Sequence, residues 1–305
     1  MKRIIIIIVA AGALLGSALA QAAPGDRLRA RFADRGGAAA PQAPGKQTLA
    51  YGKDPLQVLD YWPTQGSKRP APLVLFVHGG GWKRGTKDNA GGNWKAPHYT
   101  GEGYAYAAIN YRLVPGATVE DEAADVAASL RYLIDHAAQL GIDPKRIVLM
   151  GHSAGAHLVA LVGTDERYLR ADGLSFANIK GVIPIDGAAY DVARQIADGG
   201  NFMHDTYIEA FGTDPARQHA LSPTLQAATP NAPAFLLIHV QRKDGVAQNV
   251  ALEAALKAGG TRVRRQDFPG EGLRGHMEIN RSLGDPNYAA TGVVDGWLMQ
   301  IFSAA

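Results

Sequence analysis

The chain has 305 residues, a formal net charge of +3, 47% hydrophobic and 19% charged residues, and no cysteine. That composition supports a full globular core and carries no basic stripe suited to nucleic acid. The lack of cysteine excludes disulfides, a lipid-modified Cys anchor and thiol catalysis.

The chain opens with Lys2 and Arg3, an apolar run from Ile4 to Leu15, and Ala18-Leu19-Ala20 just before Gln21. A positive start, a short apolar core and an A-x-A site read as a secretory signal peptide over residues 1–20. Cleavage is expected after Ala20, with Ala22 or Ala23 as close seconds. The apolar run is short for a bilayer span, so no stable membrane anchor is expected once it is cut, and the protein is expected to be exported to the periplasm or beyond. The two basic residues would leave with the signal, so the charge falls from +3 to +1 (+3 minus 2). Residues 21–47, rich in Ala, Pro, Gly and Arg with no apolar period, read as a flexible lead-in to one domain over 48–305.

Within that domain, Thr48 to Tyr51 and Gln57 to Trp62 read as short strands around a turn at Gly52-Lys53-Asp54-Pro55. Leu73 to Val77 is a dense apolar run suited to a strand buried on both faces. Tyr104 to Tyr111 is another strand. An amphipathic helix is expected from Val119 to Leu140, capped by Thr118 with Asp121 three residues later and closed by Gly141. Ile147 to Met150 and Gly181 to Ile185 are strands, with a turn and a helix after the first. Residues 188–230, carrying Pro215, Pro223 and Pro230, read as an irregular, cap-like segment. Phe235 to Val240 is a strand, Val246 to Ala258 a helix, Thr261 to Phe268 a last strand, and Tyr288 to Phe302 a C-terminal helix. Arg262, Arg264 and Arg265 suit solvated charges on an edge strand. Strands alternating with helices point to a mostly parallel sheet covered on both faces. No internal repeat is visible.

The chemistry concentrates in three places. Gly151-His152-Ser153-Ala154-Gly155 contains G-x-S-x-G between a buried strand and a helix-forming stretch. That context can hold the Ser153 hydroxyl clear of the backbone at a helix N-terminus, where negative charge is favoured. His78-Gly79-Gly80-Gly81-Trp82 follows the strand Leu73 to Val77. Its backbone N–H groups, with that of Ala154, can hold the oxygen of a tetrahedral intermediate. His78 reads as structural, its ring bonded to the loop. A serine alcohol needs a base and an orienting acid. Of nine histidines, His204, His219, His239 and His276 lie well beyond Ser153. His276, after the last strand in Gly270-Glu271-Gly272-Leu273-Arg274-Gly275-His276, best fits the chain order Ser, acid, His. Asp244, in Gln241-Arg242-Lys243-Asp244-Gly245, is the first choice for the acid, with Asp267 and Asp186 as alternatives.

On these motifs the chain resembles the α/β-hydrolase-fold serine esterases. That group includes carboxylesterases, hormone-sensitive-lipase-like esterases, feruloyl and acetylxylan esterases, and kynurenine-formamidase-like enzymes. The resemblance runs from about Leu73 to the C-terminus. It implies a mostly parallel central sheet with helices on both faces and a small cap-like insertion. It also implies Ser153 as nucleophile, Asp244 and His276 as its partners, and Gly80, Gly81 and Ala154 as the oxyanion hole. Many relatives have H-G-x-x-D after this strand; here His239-Val-Gln-Arg-Lys-Asp244 sets the acid one residue later, with Val240 where glycine is usual. The expected reaction is hydrolysis of a small-molecule carboxylic ester through an acyl-enzyme, with no metal or cofactor and with Trp82 shaping the pocket. An amide or formamide substrate, and a catalytically silent binding relative, remain the alternatives.

Overall fold

The computed structural model describes residues 42–66, 70–89, 93–198, 200–228 and 230–303. The expected signal peptide, and the lead-in as far as residue 41, lie outside the described residues. The strands are β1 (Gln47–Ala50), β2 (Val58–Trp62), β3 (Ala71–Val77), β4 (Ala105–Ile109), β5 (Ile142–His152), β6 (Gly181–Ile185), β7 (Ala234–Val240) and β8 (Arg262–Phe268). They form one sheet in the order β1-β2-β4-β3-β5-β6-β7-β8. The β1–β2 and β2–β4 pairs are antiparallel, and every other pair is parallel. Each run read as a strand is a strand, and the continuous apolar runs β3, β4, β6 and β7 are buried along their whole length, as strands covered on both faces.

The alternation along β3 shows how the two faces are filled. Leu73, Leu75 and Val77 point into a core completed by α2 (Val119–Asp135) and α4 (Ala154–Thr164). Val74 and Phe76 point into the opposite core, closed by α1 (Lys95–Gly101) and the C-terminal α12 (Ala289–Ser303). The edge strand β8 carries exposed Arg262 and Arg264, while Arg265 is half-buried and pairs with Glu253 at 2.7 Å. Such charges discourage pairing with a further strand.

Three stretches differ from the sequence expectation. The helix expected over 119–140 is broken at His136 into α2 and a short α3 (Ala137–Leu140), and Gly141 ends it in the left-handed conformation. Its start is as expected: Thr118 and Asp121 form a reciprocal capping box. Residues 188–230 are mostly helical, not irregular. After α5 (Arg167–Ala171), the insertion between β6 and β7 holds α6 (Val192–Asp198), α7 (Gly200–Phe211), α8 (Pro215–Ala220) and α9 (Pro223–Gln226). Pro215 and Pro223 stand at helix starts, where a missing N–H costs nothing, and Asp214 caps the first of them. The last difference is α10 (Lys243–Ala258), which starts three residues before the expected Val246 and so absorbs Asp244.

The strand order reverses at β3 and β5. From β3 the chain goes to β4 on one side; from β5 it goes to β6 on the other. Loops leaving the carboxyl ends of such a pair diverge and leave a crevice, where open α/β sheets place their ligands. The His78–Trp82 loop and Ser153 both leave the sheet at this point.

Candidate active site

Ser153 sits between β5 and α4 with φ 56° and ψ −118°, a conformation that L-residues rarely adopt. Two backbone hydrogen bonds hold it there. Its N–H donates to the Ile185 carbonyl at 3.0 Å, and its own carbonyl accepts from His157 N–H at 3.1 Å. A Cβ on Gly151 would collide with the Gly155 carbonyl, and one on Gly155 with the Val77 carbonyl. The two glycines of G-x-S-x-G are therefore steric requirements of the turn. Among the described residues, the Ser153 hydroxyl has no hydrogen-bond partner of its own, and it stands half-buried at the N-terminus of the fully buried α4.

The glycine loop lies directly against this turn, since a Cβ on Gly79 would fall 2.8 Å from Ser153 Cβ. Gly80 and Gly81 have φ of 139° and 63°, which turns the backbone after β3 back on itself. His78 braces the loop as expected. Its Nδ1 bonds the Gly79 carbonyl at 2.9 Å, its ring stacks on Tyr111 at 4.3 Å, and Tyr111 Oη donates to the His78 carbonyl at 2.8 Å. Burial pulls the His78 pKa down to about 4, so the ring is neutral.

Trp82 departs from its expected role as a pocket wall. Its side chain is buried, at 1% exposure, and packs edge-on against His157, Tyr207 and Phe211. Its Nε1 donates to His157 Nδ1 at 3.3 Å, and His157 Nε2 donates onward to the Leu221 carbonyl at 2.8 Å. Trp82 thus pins the glycine loop to α4 and the inserted helices. The side chains facing Gly81 are Thr206 and Met203 of α7, and an ion pair between Lys83 and Glu209 ties the same helix to the loop.

His276 lies in the first half of α11 (Gly272–Ser282). Its ring is 4.4 Å from that of His152, the residue before Ser153, and His152 Nε2 donates to the His276 carbonyl at 3.0 Å. Burial first, and then His276, push the His152 pKa well below its ordinary value, so His152 acts here as a neutral donor.

The partner of His276 is Asp186, not Asp244. His276 Nδ1 donates to Asp186 Oδ2 at 2.5 Å. Asp186 follows β6 with φ 44° and is 0% exposed. Burial alone would raise its pKa. The His276 bond, the Arg242 guanidinium and the Val240 N–H overcome that and hold it at about 2. An ionised carboxylate only accepts, so the ring proton sits on Nδ1 and Nε2 is left with a free lone pair.

Asp244 fails as the acid for a local reason. With α10 starting at Lys243, Asp244 falls in the first helical turn, where a carboxylate suits the helix dipole. There it is 30% exposed and pairs with Arg242 Nη1 at 3.1 Å and Gln195 Nε2 at 3.3 Å. Asp267, the other alternative, is exposed on β8. Arg242 and His152 were not singled out from the sequence. An Arg in a polar loop carries no pattern that would reveal it, and His152 gains its role only when α11 docks on it.

The BD-FAE family profile matches residues 59–255. The chain belongs to the BD-FAE family. The esterase LipC of Mycobacterium tuberculosis is 29% identical over 208 residues, covering 65% of this chain and 51% of that protein. A probable isoprenylcysteine alpha-carbonyl methylesterase of Arabidopsis thaliana is 36% identical over 115 residues, covering 38% of this chain and 24% of that protein. The matches therefore span between about a quarter and a half of these relatives' lengths. Among solved structures, an inhibited esterase B from Lactobacillus rhamnosis aligns with TM-score 0.73 and 24% identity over 91% of both chains. Esterase 2 of Thermogutta terrifontis aligns with TM-score 0.68 and 23% identity over 87% of this chain and 98% of that one. The fold is the α/β-hydrolase fold, and the resemblance to its serine esterases drawn from the motifs is borne out.

Proposed function

We propose that the protein hydrolyses carboxylic esters of small molecules through an acyl-enzyme on Ser153. The observation that carries this reading is the short His276–Asp186 bond, with the His276 ring 4.4 Å from that of His152, the residue before a serine held in a rare backbone conformation at a helix N-terminus. Ser153 Oγ attacks the carbonyl carbon while His276 Nε2 takes its proton. The carbonyl oxygen becomes an oxyanion held by the N–H groups of Gly80, Gly81 and Ala154. His276 then gives the proton to the leaving alcohol, and water repeats the sequence to free the acid. Asp186, ionised throughout, keeps the ring in the right tautomer and stabilises the imidazolium.

The esterase and methylesterase names of the relatives support an ester over an amide. Labelling with a fluorophosphonate, followed by peptide mapping, should place the modification on Ser153 and nowhere else. A screen of short-acyl, long-acyl, feruloyl and aryl-formamide substrates should give turnover on esters. An unlabelled, inert protein points to a silent binding relative, and formamide turnover without ester turnover points to an amidohydrolase.

Export belongs to the same proposal, supported by the basic start, the Ile4 to Leu15 run and the Ala18-Leu19-Ala20 site. N-terminal sequencing of protein recovered from the periplasm or medium should begin at Gln21 or within three residues of it. An intact Met1 on membrane-bound protein overturns that part.

A further inference from the structure

We infer that Arg242 is a positioning residue for the His276–Asp186 pair, and that Arg242 and Asp244 together set the pH range in which the pair works. The inference rests on the function proposed above.

Asp186 is gripped from three directions. Oδ1 accepts from Val240 N–H at 3.1 Å. Oδ2 accepts from His276 Nδ1 at 2.5 Å and from Arg242 Nε at 2.9 Å. The carboxylate cannot turn away from His276 without giving up the guanidinium. Arg242 is itself fixed at its far end. Nη1 reaches Asp244 Oδ2 at 3.1 Å, and Nη2 faces the carbonyls of Asp186 and Gly187, each at 3.4 Å. Only a planar fork can serve these positions together, and a lysine cannot. The acid at the end of β6 is thus held by a residue from the loop after β7, the place where the sequence motif leads one to look for the acid.

The sharing of Oδ2 has a chemical consequence. A guanidinium on the oxygen that must receive the imidazolium opposes protonation of the pair. Asp244, on the other side of Arg242, offsets part of that positive charge. Loss of Arg242 should make the pair easier to protonate, and loss of Asp244 should make it harder. The other ionisable groups around the cluster are His152 at the end of β5, Lys95 of α1, Tyr190 after β6, Tyr207 of α7 and Tyr288 before α12. Burial pushes the His152 and Lys95 pKa values down and those of the three tyrosines up. All five are common to the wild type and the variants.

The test is the pH profile of kcat/KM on a short-chain aryl ester, measured on the whole enzyme. Arg242→Gln should lower kcat by roughly 10- to 100-fold, the scale of a misplaced catalytic group. It should also move the acid limb up by roughly one pH unit, as expected for removing a neighbouring charge. Asp244→Asn should lose less activity and move the limb down. Arg242→Lys should hold the limb near its wild-type place while kcat falls, because charge is kept and the fork is lost. A packing role alone would lower thermal stability without opposed shifts. Should Arg242→Gln not fold, Arg242→Lys and Asp244→Asn still decide the matter. An Arg242→Gln or Asp244→Asn limb that coincides with wild type, or limbs of these two variants that move the same way, overturn the inference. Ser153→Ala in the same assay separates it from the proposed function: if that variant keeps wild-type turnover, that function fails first.

Discussion

Asp186 and Glu122 are both 0% exposed, yet the protein gives them opposite charge states. Asp186, in the turn after β6, receives His276, Arg242 and the Val240 N–H, and its pKa sits at about 2. Glu122, on α2, has neither carboxyl oxygen hydrogen-bonded. Burial pushes its pKa up to about 10; the Val114 N–H, which is spent on the Trp82 carbonyl at 3.0 Å, offsets only part of that, and Asp125, Asp121 and Glu120 add to the rise. Burial penalises the charge of both groups, and only directed donors reverse that penalty. A carboxylate that must stabilise an imidazolium needs such donors in place before the reaction, and among the acids weighed for that role only Asp186 combines them with a bond to His276.

The largest effect that could break this contrast is on turnover. Asp186→Asn should cut kcat by roughly four orders of magnitude, since the amide favours the wrong imidazole tautomer. Asp244→Asn should cost far less. Steady-state kinetics on the two purified variants would reverse the assignment of the acid if the losses came out the other way round.

A smaller effect concerns stability and Glu122. Its folded pKa lies above its unfolded value of about 4.5, so the folded state keeps a proton that the unfolded chain releases. The stability this gives is full below about pH 4.5 and drains as pH rises towards 10. Glu122→Gln keeps the shape and never ionises. Its melting temperature should exceed wild type by a margin that widens from pH 5 to pH 9. Parallel melting curves across that range would mean that Glu122 finds a partner after all.

The smallest effect is the mirror case. The folded pKa of Asp186 lies below its unfolded value of 3.8, so its stabilisation is present above that value and is lost as pH falls towards 2. Asp186→Asn should therefore flatten the acid arm of the stability profile between pH 4 and 2 while leaving the neutral region parallel to wild type. An unchanged acid arm in thermal melts at those pH values would count against the ionised, hydrogen-bonded carboxylate.

Legibility in the sequence followed the range of the interactions. The turn after β5 depends on Gly151, Ser153 and Gly155, all within one segment, and each does locally what its residue type suggests. The glycine loop after β3 is similar: His78 bonds its own neighbour Gly79. Trp82 read as a pocket wall because an aromatic beside a glycine loop often faces a ligand. Its burial is decided by Tyr207 and Phe211, more than a hundred residues away in the chain. The inserted helices escaped notice because their prolines look like breakers in a linear reading, although Pro215 and Pro223 open helices here.

By itself the sequence determined the eight strands, a sheet covered on both faces, the serine turn and the histidine beyond the last strand. Periodicity, apolar runs and glycine sterics are properties of neighbouring residues, so they are written in order along the chain. Only the tertiary structure decided which aspartate meets His276. Asp186 and Asp244 both follow apolar strands, and both stand beside a glycine. The choice turned on α10 starting at Lys243, which engages Asp244 in its first turn and with Arg242, and on β6 lying between β5 and β7, which brings Asp186 beside Val240 and under the His276 ring. Both are facts of register and docking between distant segments, which no local pattern of residues encodes.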